Sequence, residues 1–92
     1  MEHLLIHNTK LDRYEFDLGD STAYLSYEQE GNCLHLTHTI VPRQHEGQGI
    51  ARALVEAAFH DIRKRGLRIV AHCSYVVRYV ERHPEWHDIV AQ

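Results

Sequence analysis

Hydrophobic and polar positions alternate from Arg13 onward. Tyr14, Phe16 and Leu18 fall on one side, and Arg13, Glu15 and Asp17 on the other, which predicts a half-buried strand. Gly19-Asp20 signals a turn, a second strand runs from Thr22 to Glu28, and Glu30-Gly31-Asn32 turns the chain again. The third strand, Cys33 to Val41, is rich in β-branched residues; Leu34, Leu36 and Ile40 mark one of its faces, with His38 among them. Pro42 ends it, because proline has no N–H for the ladder. The first dozen residues show no clean period, and Leu4, Leu5 and Ile6 either begin a strand or form a loose arm.

After Pro42 the period lengthens. Ile50, Leu54, Ala57, Ala58 and Ile62 recur at helical spacing, with Arg52, Glu56, His60 and Arg63 on the other face. The predicted helix starts near Gly47–Gly49, carries Lys64 and Arg65 in its last turn and stops at Gly66. Leu67 to Cys73 is a fourth strand, expected beside the third and parallel to it through a right-handed crossover. Ser74 is placed to cap a second helix, Tyr75 to about Arg82, closed by His83-Pro84. Trp86, Ile89 and Val90 are expected to fold back on the core. The order β-β-β-α-β-α predicts an α+β fold, an α/β sandwich in which an antiparallel meander leads into a β-α-β crossover and a C-terminal helix.

Composition narrows the class. Ninety-two residues make a single domain, 1–92, that hides only roughly 60–65% of its unfolded surface, so each apolar face counts. At 43% hydrophobic and 25% charged the chain is an ordinary globular one. A net charge of −3 argues against a general nucleic-acid binder, and no apolar run approaches the ~18 residues of a membrane span. No charged-then-apolar leader opens the chain, and two cysteines, Cys33 and Cys73, form no disulfide framework; together these predict a reducing, cytoplasmic setting. Nine histidines would carry the charge from −3 to +6 if all were protonated. Their spacings offer little to a metal: His35 and His38 should face opposite sides of a strand, Pro84 separates His83 from His87, and His72 and Cys73 oppose each other.

The chemistry concentrates at the junction Val41-Pro42-Arg43-Gln44-His45-Glu46-Gly47-Gln48-Gly49-Ile50-Ala51. A strand ends, a polar loop carries two close glycines, and an alanine-rich helix begins. First-turn amides of such a helix face outward unpaired, with the positive end of the dipole behind them, and phosphates bind there; the alternative is that the glycines only permit a tight turn. Gly49 is not followed by Lys-Ser/Thr, which rejects a Walker A loop, and Arg52 stands where a dinucleotide fingerprint needs a third small residue.

What remains, Glu46-Gly47-Gln48-Gly49-Ile50-Ala51, resembles the Arg/Gln-x-x-Gly-x-Gly/Ala motif of the GNAT acyltransferase superfamily, with Gly49 and Ala51 on the two small positions and Glu46 where Arg or Gln is usual. His38-Thr39-Ile40-Val41-Pro42, His72-Cys73-Ser74-Tyr75-Val76 and Pro84-x-Trp86 are similar to the short single-domain branch of that superfamily, so the likeness spans roughly Tyr14 to Trp86. It implies a truncated GNAT-like fold without N-terminal helices, a sheet splayed between the strands ending at Val41 and Cys73, and acetyl-CoA as co-substrate with no metal. The implied cofactor contacts are Glu46, Gly47, Gln48, Gly49, Ile50 and Ala51 at the pyrophosphate, Thr39, Ile40 and Val41 along the pantetheine, and Ser74 at the next helix start.

Acyl transfer to an amine needs a base, and the strand before the loop carries no Glu, which many members use there. Its ionisable residues are His35 and His38, and His38 lies nearer the splay; it is either a base or a hydrogen-bonded histidine that shapes the strand. Cys73, before a helix N-terminus, is either a reactive thiol that takes the acyl group or contacts the cofactor sulfur, or a small buried hydrophobe. The leading expectation is an acetyl-CoA-dependent N-acetyltransferase acting on an amine of a small molecule or a protein. The alternatives are a non-catalytic acyl-CoA-binding module, favoured by Glu46 and the missing carboxylate, and a histidine-based metal- or pH-responsive interaction protein.

Overall fold

The computed structural model describes residues 3–91. Five strands, β1 (Leu5–Asn8), β2 (Arg13–Asp17), β3 (Thr22–Glu30), β4 (Cys33–Ile40) and β5 (Arg68–Ala71), form one sheet in sequence order. The first three junctions are antiparallel and β4–β5 is parallel, joined through α1 (Ile50–Lys64); α2 (Ser74–Arg82) and a 3-10 segment, Pro84–Ile89, complete the chain. The predicted meander, crossover and second helix are all present.

Both helices pack on the same sheet face. Tyr14, Phe16, Ala23, Leu25, Tyr27, Leu34, Leu36 and Ile69 point there from the strands, and Leu54, Val55, Ala58, Phe59 and Ile62 meet them from α1. Phe59 is the hub: its ring meets Tyr79 of α2 at 5.6 Å and Trp86 at 5.4 Å, both edge-on. Trp86 and Ile89 are buried as expected, and the terminal segment is held by Arg63, which lies 4.1 Å over the Trp86 ring and bonds both Asp88 oxygens. Val90 bridges Ile69, and Ala91 N donates to Ile69 O at 2.9 Å, so the β5 edge is covered. Among the described residues no helix covers the opposite face of the sheet.

One open alternative is decided and four local expectations change. The unpatterned start contains β1, an edge strand in register with β2 from Leu5↔Phe16 to Asn8↔Arg13. The strand before the loop ends at Ile40, and β5 is four residues rather than seven; Cys73, not Ser74, is the N-cap of α2. Last, Leu34, Leu36, His38 and Ile40 do not share a face. Ser26 pairs with His38 but Tyr27 pairs with Leu36, so Thr37 is an extra residue, a bulge on β4. Past it the alternation inverts: Thr39, opposite buried Leu25, turns to the helix side, while His38 and Ile40 turn to the bare face and are exposed.

Candidate active site

The β4–β5 ladder stops at Leu36↔Ala71, yet β4 runs four residues further while the other chain turns into α2. The amides of His72 and Cys73 both donate to Leu36 O, at 3.0 and 3.2 Å. Beyond that oxygen the strands part, as the resemblance implied, leaving a gap with Thr37–Ile40 on one side and Cys73 on the other.

Cys73 faces this gap from the helix side. In its thiol form Sγ donates to Thr39 Oγ1 at 3.5 Å, a contact that exists because the bulge turned Thr39 inward. Burial pushes this thiol up, but the Thr39 hydroxyl, which becomes the donor once sulfur ionises, and the backbone amides of Val76, Tyr75 and Thr39 outweigh it. The thiol is held below its ordinary value, as expected at a helix N-terminus. Ser74 follows, exposed, as the first residue of α2.

At the far end of β4 the chain passes through Val41 and Pro42, then a 3-10 turn, Arg43–His45, into the glycine loop. Gly47 and Gly49 take φ of +83° and +76°, the left-handed region that side chains adopt at a cost. A Cβ at either would meet no atom within 4 Å, so backbone conformation rather than crowding demands glycine. Gly49 caps α1 and, among the described residues, no side-chain cap bonds its first turn of Ile50, Ala51 and Arg52. Glu46, Gly47, Gln48 and Gly49 are exposed, Ile50 is buried and Ala51 half-buried. The loop is an open, amide-lined surface in line with the gap.

Two further groups were missed by sequence spacing. Arg52, one turn into α1, lines a cleft of about 340 Å³ with Tyr75, Arg78, Tyr79, Arg82 and His83 of α2. Among the described residues, none of these three guanidinium groups has a carboxylate within ion-pair distance, unlike Arg13, Arg63 and Arg65. The 3.6-residue spacing of Tyr75, Arg78 and Arg82 on one face of α2 was the available signal. His35 and His72, 37 positions apart, meet on the bare face with Nδ1 and Nε2 at 2.9 Å, a pairing set by β4–β5 register. His38 lies on that face too, its Nδ1 3.4 Å from Ser26 Oγ. Among the described residues no group of three or more His, Cys, Asp or Glu side chains converges to hold a metal ion, and no helix is long and apolar enough to cross a membrane.

Comparison with known proteins agrees with this geometry. The structure superposes on the solution NMR structure of a GCN5-like protein from Staphylococcus aureus with a TM-score of 0.73, covering 99% of this chain and 91% of that one at 22% identity, which establishes the shared fold. Protein NATD1 of Gallus gallus and of Mus musculus are each 36% identical over 63 residues, 67% of this chain. The match spans 57% of the length of those relatives. A family model described as GCN5-related N-acetyl-transferase matches residues 13–89, from the start of β2 to the end of the last 3-10 segment. The chain therefore belongs to the GCN5-related N-acetyl-transferase family.

Proposed function

We propose that the chain binds acetyl-CoA and transfers its acetyl group to an amine. The observation that carries this reading is the alignment, along one strand end, of an amide-lined glycine loop, a gap in the sheet and a thiol held below its ordinary pKa. The donor set fits the cofactor. Amides from Gly47 to Ala51, with Glu46 and Gln48 beside them, would hold a pyrophosphate. The unpaired Arg52, Arg78 and Arg82 would hold the remaining phosphate of the nucleotide. Backbone groups of Thr39, Ile40 and Val41, with Ser74 opposite, would hold the pantetheine arm in the gap.

The bound cofactor supplies an activated acyl group as a thioester. The chain must place it, take a proton from the amine and return one to the leaving thiolate. Cys73, at the gap and bonded to Thr39, is positioned for the thiolate side. The imidazoles on the bare face, His38 among them, are available for the amine side.

A second reading, a binding module without turnover, is favoured by one observation: the exposed carboxylate of Glu46 beside the anion-binding loop, which weakens an anion's affinity. Thermal unfolding with acetyl-CoA and with Zn²⁺ separates the classes. A hundredfold excess over Kd should stabilise the fold by about 2.7 kcal/mol. Stabilisation by Zn²⁺ and none by acetyl-CoA would sink both readings. Acetyl transfer to a panel of amines then divides enzyme from binder, and Cys73→Ala should keep cofactor binding while slowing turnover; unchanged turnover rejects a role for the thiol.

A further inference from the structure

The face of the sheet that the helices leave bare holds a pocket of about 620 Å³, lined by Glu28, Gln29, Glu30, His35, Thr37 and His72. Its place in the fold gives it meaning. Glu28, Gln29, Glu30 and His35 lie beside the paired rungs, while Thr37 and His72 are the first residues past the last one, Leu36↔Ala71, so the pocket reaches the apex of the gap at one end. Cys73 and Thr39 look into the same gap from the helix side. A group lodged between the strands is thus approached from one side by the thiol and from the other by this pocket.

The lining has one sign of charge. It carries two carboxylates and no Lys or Arg. Glu28 and Glu30, two residues apart on β3, are separated by about 7 Å, and Glu30 is 84% exposed. The two imidazoles are ordered by Glu30. Its Oε1 lies 3.2 Å from His35 Nε2, and a carboxylate accepts only, so His35 donates from Nε2. His35 Nδ1, 2.9 Å from His72 Nε2, is then an acceptor and His72 donates to it. This leaves the lone pair on His72 Nδ1, which has no hydrogen-bond partner among the described residues. The row Glu30, His35, His72 ends on a proton acceptor at the apex of the gap.

We infer that this pocket is the acceptor site and that it takes an aliphatic polyamine, one ammonium group against Glu28 and Glu30 and the reacting amine against His72. The inference rests on the acetyl-transfer reading above. The reacting ammonium gives one proton to His72 Nδ1, and the freed lone pair adds to the thioester carbonyl carbon. The C–N bond forms and the C–S bond breaks. The thiolate leaves with the bonding pair and is protonated by the Cys73 thiol, which then takes up the second amine proton. The products are an amide, a thiol and an imidazolium that returns its proton to water. His72 is the catalytic residue here, and His35 and Glu30 position it.

The test uses spermidine and the full chain. Ring signals of His35 and His72 should shift as spermidine is added, followed by NMR with and without acetyl-CoA. The double variant Glu28→Gln/Glu30→Gln should raise the KM for spermidine tenfold or more while acetyl-CoA affinity stays the same, and Glu56→Gln/Glu81→Gln, an equal charge change on the exposed faces of α1 and α2, should alter neither. His72→Gln should lower kcat about 100-fold at pH 7 and recover most of it near pH 10, where the amine loses its own proton. His35→Asn should reproduce part of that pH-dependent loss with KM unchanged. Ring signals that ignore spermidine, a KM indifferent to both carboxylates, spermidine binding without acetyl transfer, or preference for a lysine peptide over spermidine would each overturn the assignment. Failure of acetyl-CoA to bind while spermidine still moves the ring signals would instead remove the acetyl-transfer reading and leave a polyamine pocket.

Discussion

Cys73 and Cys33 are both half-buried, and among the described residues a hydroxyl and three backbone amides are directed at the Cys73 sulfur. Its thiolate is therefore populated at lower pH. Iodoacetamide near neutral pH should alkylate Cys73 faster than Cys33, as peptide mass spectrometry would read, and Thr39→Val should slow Cys73 alone. Equal rates at the two cysteines would contradict the environment described for Cys73. A second residue, Asp61, reports on the fold. Its Oδ2 accepts from the Tyr14 hydroxyl and from Arg65 Nε, each at 2.7 Å. Burial pushes this carboxyl up, but those two donors outweigh it and the net shift is downward. A depressed folded pKa means that the stabilisation is fully present above the unfolded carboxylate value and is lost as pH falls through the folded one. Tyr14→Phe should cost about 1.5 kcal/mol near neutral pH, and that deficit should shrink in urea titrations as the pH is lowered below about 4. A deficit independent of pH would place the effect in packing alone.

At the scale of elements, the glycine loop and the bulge do the positioning. Gly49→Ala forces a Cβ into a left-handed φ, at a cost of about 1 kcal/mol. Relief of that strain by tilting the first turn of α1 would weaken acetyl-CoA as well, so thermal unfolding and calorimetric titration should fall together. Loss of stability with unchanged affinity would show that the loop serves only the fold. Much of this was legible. Ile50, Leu54, Ala58 and Ile62 announce α1 because a helix buries one stripe, and Gly47-Gln48-Gly49 marks the loop because positive φ selects glycine. The bulge left no such trace. Parity counting along Leu34, Leu36, His38 and Ile40 assumes an unbroken ladder, and nothing in the Thr37 side chain announces that the backbone gains a residue there. The meeting of His35 with His72 was hidden for a related reason: it depends on the register of two strands separated by a whole helix. β1 stayed undecided between a strand and a loose arm because Leu4-Leu5-Ile6 is a run without alternation, at an edge where only four residues pair.

Seen whole, the molecule is a two-layer sandwich with one layer of helices, and its core converges on Phe59. Phe59→Ala removes the ring that both Tyr79 and Trp86 meet edge-on, and should cost about 3–5 kcal/mol in urea unfolding. Domains of this size have roughly 5–15 kcal/mol in all, so much of the margin would go. A loss below about 1 kcal/mol would mean that the core closes around the vacancy and that Phe59 is no hub. The single helix layer also divides the labour of the sheet. One face is given to burial and the other is left bare; the acidic pocket lies on the bare face, and the basic cleft lies between the two helices.

The carbonyl of Leu36 has a mechanical consequence. Two amides from successive residues converge on that one oxygen, so the parting strands hang from a single pin rather than from a frayed ladder. Swinging one arm about it changes the width of the opening through torsions at Thr37 and Cys73 while the rungs from Cys33↔Arg68 to Leu36↔Ala71 stay closed. The clamp can thus loosen and tighten at the scale of a side chain without the molecule coming undone, and amide hydrogen exchange should find Cys73 opening well before Val70, whose amide lies within the ladder.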